Sequence, residues 1–127
     1  MGKILFSLIV GLLISGCSSD QNNDTEERVT ANIEKHANGL AYEYNQKKPF
    51  TGIFVGFDHN GGKKAEIHFK NGKQNGTAKM WYENGQQSHE IYFYDGKLEG
   101  LATEWNQDGS EYKNSIFQNG KLTGSME

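Results

Sequence analysis

This sequence lacks most of what would build a thick core or a covalent frame. Its 127 residues include one cysteine, Cys17, and one proline, Pro49. A lone cysteine excludes an intramolecular disulfide, and a lone proline excludes a proline-rich linker. Hydrophobic residues reach only 35%, while aromatics make up 12% and glycines number 16, a balance that suits a thin β structure better than a helical bundle. Positive charge is not in excess: the formal charge is −3, so the basic stripe that marks nucleic-acid binding is absent. From Phe50 onward no 3.6-residue apolar period appears, which argues against helices there. The glycine-rich stretch "GFDHNGG" at 56–62 lacks the Gly-Lys-Ser/Thr of a phosphate loop and precedes a strand-like segment.

One long hydrophobic run is present, at the start. Lys3 is followed by "ILFSLIVGLLI", broken only by Ser7 and Gly11, which is too short to span a bilayer and reads as the signal helix of a secretory leader, residues 1–16. It ends in "ISGC", which resembles the lipobox of bacterial lipoproteins. That resemblance implies cleavage before Cys17 and acylation of its thiol, hence a lipid anchor in the cell envelope. Each buried methylene of such chains contributes about 0.8 kcal/mol. Residues 18 and 19 are serines, not the aspartate that retains some Gram-negative lipoproteins at the inner membrane, so the outer membrane is the expected address if the cell is Gram-negative. Loss of residues 1–16 removes Lys3 and no acid, leaving a formal charge of −4. The lipidated Cys17 and the apolar-free "SSDQNNDTEER" that follows form a flexible tether, residues 17–28.

The rest of the chain repeats itself every 24 residues. Phe57, Trp81 and Trp105 are in step, as are Phe69, Phe93 and Phe117, and Ile67 with Ile91. Two families of turn signals recur, one ending in Gly61, Gly85 and Gly109, the other in Gly72, Gly96 and Gly120. Each glycine follows Asn or Asp, the strongest short-range hairpin signal. The expected fold is therefore all-β: a single curved antiparallel meander of stacked hairpins. Residues 29–51, turning at Asn38-Gly39 and again at Lys47-Lys48-Pro49, form a degenerate N-terminal cap hairpin, and residues 52–127 form three repeats. The last strand, before the "KLTGSME" terminus, is expected to be short or absent.

Alternation assigns the faces. The large columns are odd-numbered and all six tyrosines even-numbered. If odd residues pair with odd ones, every loop holds an odd number of residues, Glu83-Asn84-Gly85 among them. One face then collects Phe57, Trp81, Trp105, Phe69, Phe93, Phe117, Ile67 and Ile91 as core. The other presents Tyr82, Tyr92, Tyr94 and Tyr112, with His68, as the candidate binding face.

These columns resemble a MORN-repeat variant of bacterial proteins, carried by "NGKQNGTAKMWYENGQ" and "DGKLEGLATEWNQDGS", and "NGLAYEYNQKKPFTG" is similar to the leader of YwqK-type antitoxin proteins. The likeness covers about residues 33–125. It implies a sheet of stacked hairpins used as an interaction scaffold, and the leader implies an alternative role as an antitoxin or immunity-like protein neutralising a partner. Gln86, Gln87, Ser88 and Ser115 depart from the repeat pattern.

Chemistry is sparse. His36, His59, His68 and His89 do not cluster at metal-ligand spacing. Glu66 and Glu90 share a column two strands apart, about 9.6 Å, with no pocket implied between them. The sequence therefore implies no catalytic residue, metal or cofactor. It implies a non-enzymatic lipoprotein held by acyl chains on Cys17, whose sheet meets a protein or glycan partner, with self-association through a sheet face or edge as a further possibility.

Overall fold

The structure is a computed structural model and describes residues 29–126; the signal helix, Cys17 and the tether up to residue 28 lie outside the described residues. Within them the chain is all-β. The cap contributes β1 (Val29–Thr30), β2 (Ile33–Lys35) and β3 (Ala41–Glu43). The repeats contribute β4 (Gly52–Phe57), β5 (Lys63–Lys70), β6 (Lys73–Trp81), β7 (Gln87–Tyr94), β8 (Lys97–Leu98), β9 (Gly100–Trp105), β10 (Glu111–Gln118) and β11 (Lys121–Met126). From β4 to β11 the strands follow one another antiparallel in one sheet, with β8 also paired to β7. β1 lies parallel along the outside of β4, with Val29 opposite Ile53, and β2–β3 form a separate hairpin around Asn38-Gly39. The last strand is not short: β11 has six residues, because the tight turn at Asn119-Gly120 returns the chain directly along β10.

Two turn chemistries alternate. Glu83-Asn84-Gly85 is a three-residue loop as expected, closed by the Tyr82 N–H donating to the Gln86 carbonyl (2.9 Å) and the Gly85 N–H to the Tyr82 carbonyl (3.0 Å). The same bonds recur around Asp58 and Asn106. The second family corrects the expectation of odd loops. Lys70 pairs with Lys73, Tyr94 with Lys97 and Gln118 with Lys121, so Asn71-Gly72, Asp95-Gly96 and Asn119-Gly120 are two-residue turns. Both central residues have positive φ, 51° at Asn71 and 83° at Gly72, the mirror-image turn whose twist matches that of its strands.

The parity expectation is also corrected. Next to each three-residue loop odd does pair with odd: Phe57 with Lys63, Trp81 with Gln87, Trp105 with Glu111. One residue further the register slips, and Gly56 pairs with Ala65, Met80 with His89 and Glu104 with Lys113. The residues skipped are Lys64, Ser88 and Tyr112, a β-bulge repeated once per unit. A single extra residue exchanges the faces of everything beyond it.

The expected core is therefore split. One face, the phenylalanine face, carries Ile67, Phe69, Ile91, Phe93 and Phe117 with Phe54, Ala78, Met80 and Ala102. The other, the ladder face, carries Val55, Glu66, Lys79, Glu90, Thr103 and Asn114 in directly paired sequence. Alternation along β6 and β9 puts Trp81 and Trp105 together on the ladder face, beside Lys79 and Thr103. Phe57, expected in the core, is 57% exposed at the loop end of β4.

Burial concentrates where the cap meets the sheet. Phe50 is 4% exposed and its ring centroid lies 5.9 Å from that of Phe69. Its N–H donates to the Ala41 carbonyl (2.9 Å), its carbonyl accepts from the Gly72 N–H (2.8 Å), and the Gly72 carbonyl accepts from the Ala41 N–H (2.8 Å). The Gly72–Phe50 bond recurs as Gly96 to Gln74 (2.8 Å) and Gly120 to Leu98 (2.9 Å). Beside it the Asn71, Asp95 and Asn119 N–H groups donate to the side chains of Thr51 (2.9 Å), Asn75 (2.9 Å) and Glu99 (2.7 Å). Each two-residue turn is thus pinned to the entrance of its own repeat, which fixes the spacing of the hairpins at the far end, where the loops lie.

Candidate functional site

The ladder face carries its charges in compensating order. Glu66 and Glu90 both pair with Lys79, which stands between them. Lys79 Nζ lies 3.7 Å from Glu90 Oε2, and Glu66 Oε2 accepts from Lys63 Nζ at 2.8 Å. The Lys63–Glu66 contact spans three positions on one strand face, which alternation forbids and the bulge at Lys64 permits. The same Lys63 ammonium sits 5.3 Å from the centre of the Trp81 ring. The hydrogen bond from Lys63 is the main reason the Glu66 carboxyl is held below its ordinary value of 4.5, with partial burial opposing it. The two carboxylates thus stand in a charge-compensated column around Lys79.

The sign of that shift gives a prediction. A depressed folded-state value means that Glu66 contributes stability above the ordinary carboxylate range and loses it as pH falls through the lowered value. The melting temperature should hold from neutral pH to about pH 5 and drop below that. The drop should be smaller in Glu66→Gln. An acid limb unchanged by Glu66→Gln would show that the Lys63 contact carries no stability.

The sequence-derived binding residues do not form one surface. Tyr92 and Tyr94 share the ladder face with His68, and are 42% and 64% exposed. Tyr112 is the exposed bulge residue of the third repeat. Tyr82 turns to its neighbour: its hydroxyl donates to the Trp105 carbonyl at 2.8 Å. Tyr42 is buried in the cap, stacked 4.1 Å from His36, its oxygen accepting from Asn38 Nδ2 at 2.9 Å. Among the described residues, no three His, Cys, Asp or Glu side chains converge as metal ligands.

Sequence reasoning missed a cleft between the first two hairpin loops. Its outer part, about 380 Å³, is lined by Phe57, Asp58, His59, Lys64, Trp81, Tyr82 and Glu83. A second depression of about 360 Å³ shares Phe57, Lys64 and Trp81 and continues over the phenylalanine face along Phe54, Ala65 and Met80 to Ser88 and His89. The polar floor is an internal pair: Ser88 Oγ lies 3.0 Å from His89 Nδ1, and His89 Nε2 lies 3.7 Å from Glu104. The signal that could have found the cleft is a break in the repeat, since the column of Tyr82 holds Asp58 in the first unit and Asn106 in the third.

No family model, curated protein or solved structure matches this chain.

Proposed function

We propose that the chain is a non-enzymatic lipoprotein, anchored through acyl chains on Cys17, whose MORN-like hairpin array is a scaffold for a protein partner. One observation carries this reading: away from the cap junction at Phe50 and Phe69, the sheet keeps large apolar side chains exposed among the described residues. On the ladder face Leu101 pairs with Ile116, and alternation along β7 puts Tyr92 on the same face of the neighbouring strand, its carbonyl accepting from the Glu99 N–H (2.9 Å). The three are 54%, 44% and 42% exposed and lie on one face of three adjacent strands. A sheet normally buries such side chains against another layer. The lipobox-like "ISGC" supports the anchor, and the polar stretch after Cys17 supports a domain presented away from the membrane.

Two measurements test the two halves. Cys17→Ser should move the protein from the membrane pellet to the soluble fraction and remove the mass of the acyl chains; unchanged fractionation rejects the anchor. Photo-crosslinking amino acids at Leu101 and Ile116 should give a discrete protein adduct in intact cells, and one at the solvent-facing loop residue Gln107 should give none. Equal labelling from both positions rejects the ladder face as the scaffold surface.

A further inference from the structure

We propose that the cleft between the first two hairpin loops is a socket for a tyrosine side chain of the partner protein, a proposal that rests on the scaffold reading. The argument is internal to the repeat. Between the second and third hairpins the corresponding gap is filled from within. The Tyr82 side chain leaves the base of one loop and gives its hydroxyl hydrogen to the Trp105 carbonyl (2.8 Å), while Asn84 Nδ2 donates to the Gln107 carbonyl (3.0 Å). Between the first and second hairpins the residue in the Tyr82 column is Asp58. Its carboxylate is too short to cross and turns back, Oδ1 accepting the N–H groups of Asn60 and Gly62, both at 2.9 Å. The two loops approach through His59 and Glu83 at 3.9 Å, both strongly exposed, and the cavity of about 380 Å³ stands where the ring would lie.

The acceptor that such a ring needs is in place. The Tyr82 N–H and the Gln86 carbonyl close the second hairpin. Hydrogen bonding alternates along an antiparallel strand, so the preceding carbonyl, that of Trp81, points outward to the first hairpin. The Trp105 carbonyl, one repeat on, stands in the same relation to its own loop and receives the Tyr82 hydroxyl. A phenol entering between Phe57 and Trp81 reproduces the contact already made inside the molecule. A phenyl ring would fill the space without supplying the donor. A sugar would bring hydroxyl donors and a C–H face in place of the aromatic ring that the internal contact uses, so methyl glucoside serves as the competing probe.

The test uses the full-length chain in detergent micelles, following the indole N–H signals of Trp81 and Trp105 by NMR during titration with N-acetyl-tyrosinamide. The Trp81 signal should shift and saturate while Trp105 stays in place. N-acetyl-phenylalaninamide should bind about fivefold more weakly, the worth of one neutral hydrogen bond. Asp58→Tyr should raise the melting temperature and abolish the response by filling the socket from within. That substitution is tolerable because Asn84 Oδ1 accepts the Gln86 N–H (3.0 Å), and Asn60 can take the Gly62 N–H in the same way. Should Asp58→Tyr not fold, Phe57→Ala, which removes an exposed wall, must abolish the shift. A Trp81 signal unmoved by the probe, a shift that persists in the variant chain, or an equal shift with methyl glucoside overturns the proposal. Crosslinking from Leu101 and Ile116 would be unaffected by any of these failures, so the scaffold reading is tested separately.

Discussion

Phe50→Ala is expected to lower stability by about 3–5 kcal/mol, the range for deleting a well-buried phenylalanine ring. A small domain has roughly 5–15 kcal/mol in total, so the change removes a large fraction of it. The ring is 4% exposed and packs against Phe69. The backbone around it is held independently, through bonds from Phe50 to Ala41 and from Gly72 to Phe50. The frame therefore stays while the ring leaves a void, and collapse cannot recover the loss. Phe57→Ala is the control, because that ring is 57% exposed and its removal empties nothing. Urea denaturation of both variants checks the claim. A larger loss from Phe57→Ala than from Phe50→Ala would put the core at the loop end instead of at the cap.

Gly72→Val is the second large effect. Gly72 has a φ of 83°, where a β-branched residue is strained, and an added Cβ would stand 2.9 Å from Leu40 Cβ, 3.0 Å from Pro49 Cβ and 3.1 Å from the Ala41 carbonyl oxygen. Backbone strain and overpacking each cost roughly 1–3 kcal/mol. All three neighbours, two Cβ atoms and a carbonyl oxygen, are fixed by the backbone and cannot swing away, so the cap hairpin must lift. Gly85 has a φ of 88° and open space around its missing Cβ, so Gly85→Val should show the strain alone. Hydrogen exchange at the Ala41 amide separates the cases: it should lose protection in Gly72→Val and keep it in Gly85→Val. Equal protection in both variants would mean that the cap does not depend on this contact.

The contrast between these positions shows what the sequence could reveal. The turn positions were legible because Asn-Gly and Asp-Gly encode backbone conformation locally, although the two-residue length of the second family was not, and one tryptophan face was legible because Trp81 and Trp105 occupy the same column. The bulge was not. Lys64, Ser88 and Tyr112 occupy one column but share no chemistry, so no local preference marks them, although they decide which face Ile67 and Phe69 take. The buried junction of Ala41, Tyr42, Phe50 and Gly72 was hidden for another reason: it is made by contacts between the irregular cap and the first turn, outside the period. At the candidate site, the even-numbered Tyr82 reads from the sequence as part of the binding face, but the repeat uses it internally. Asp58, whose carboxylate folds back onto its own loop beside the cleft, carries no sequence mark that separates it from other turn residues.

The meander has one more consequence. Each strand makes its substantial contacts with sheet neighbours. Most pairings close over short stretches of chain, so the topology favours rapid zippering from any one hairpin. The buttressed cap end resists opening most. Melting should begin at the β11 side and travel inward one hairpin at a time, letting the C-terminal repeat fray while the cap end stays shut.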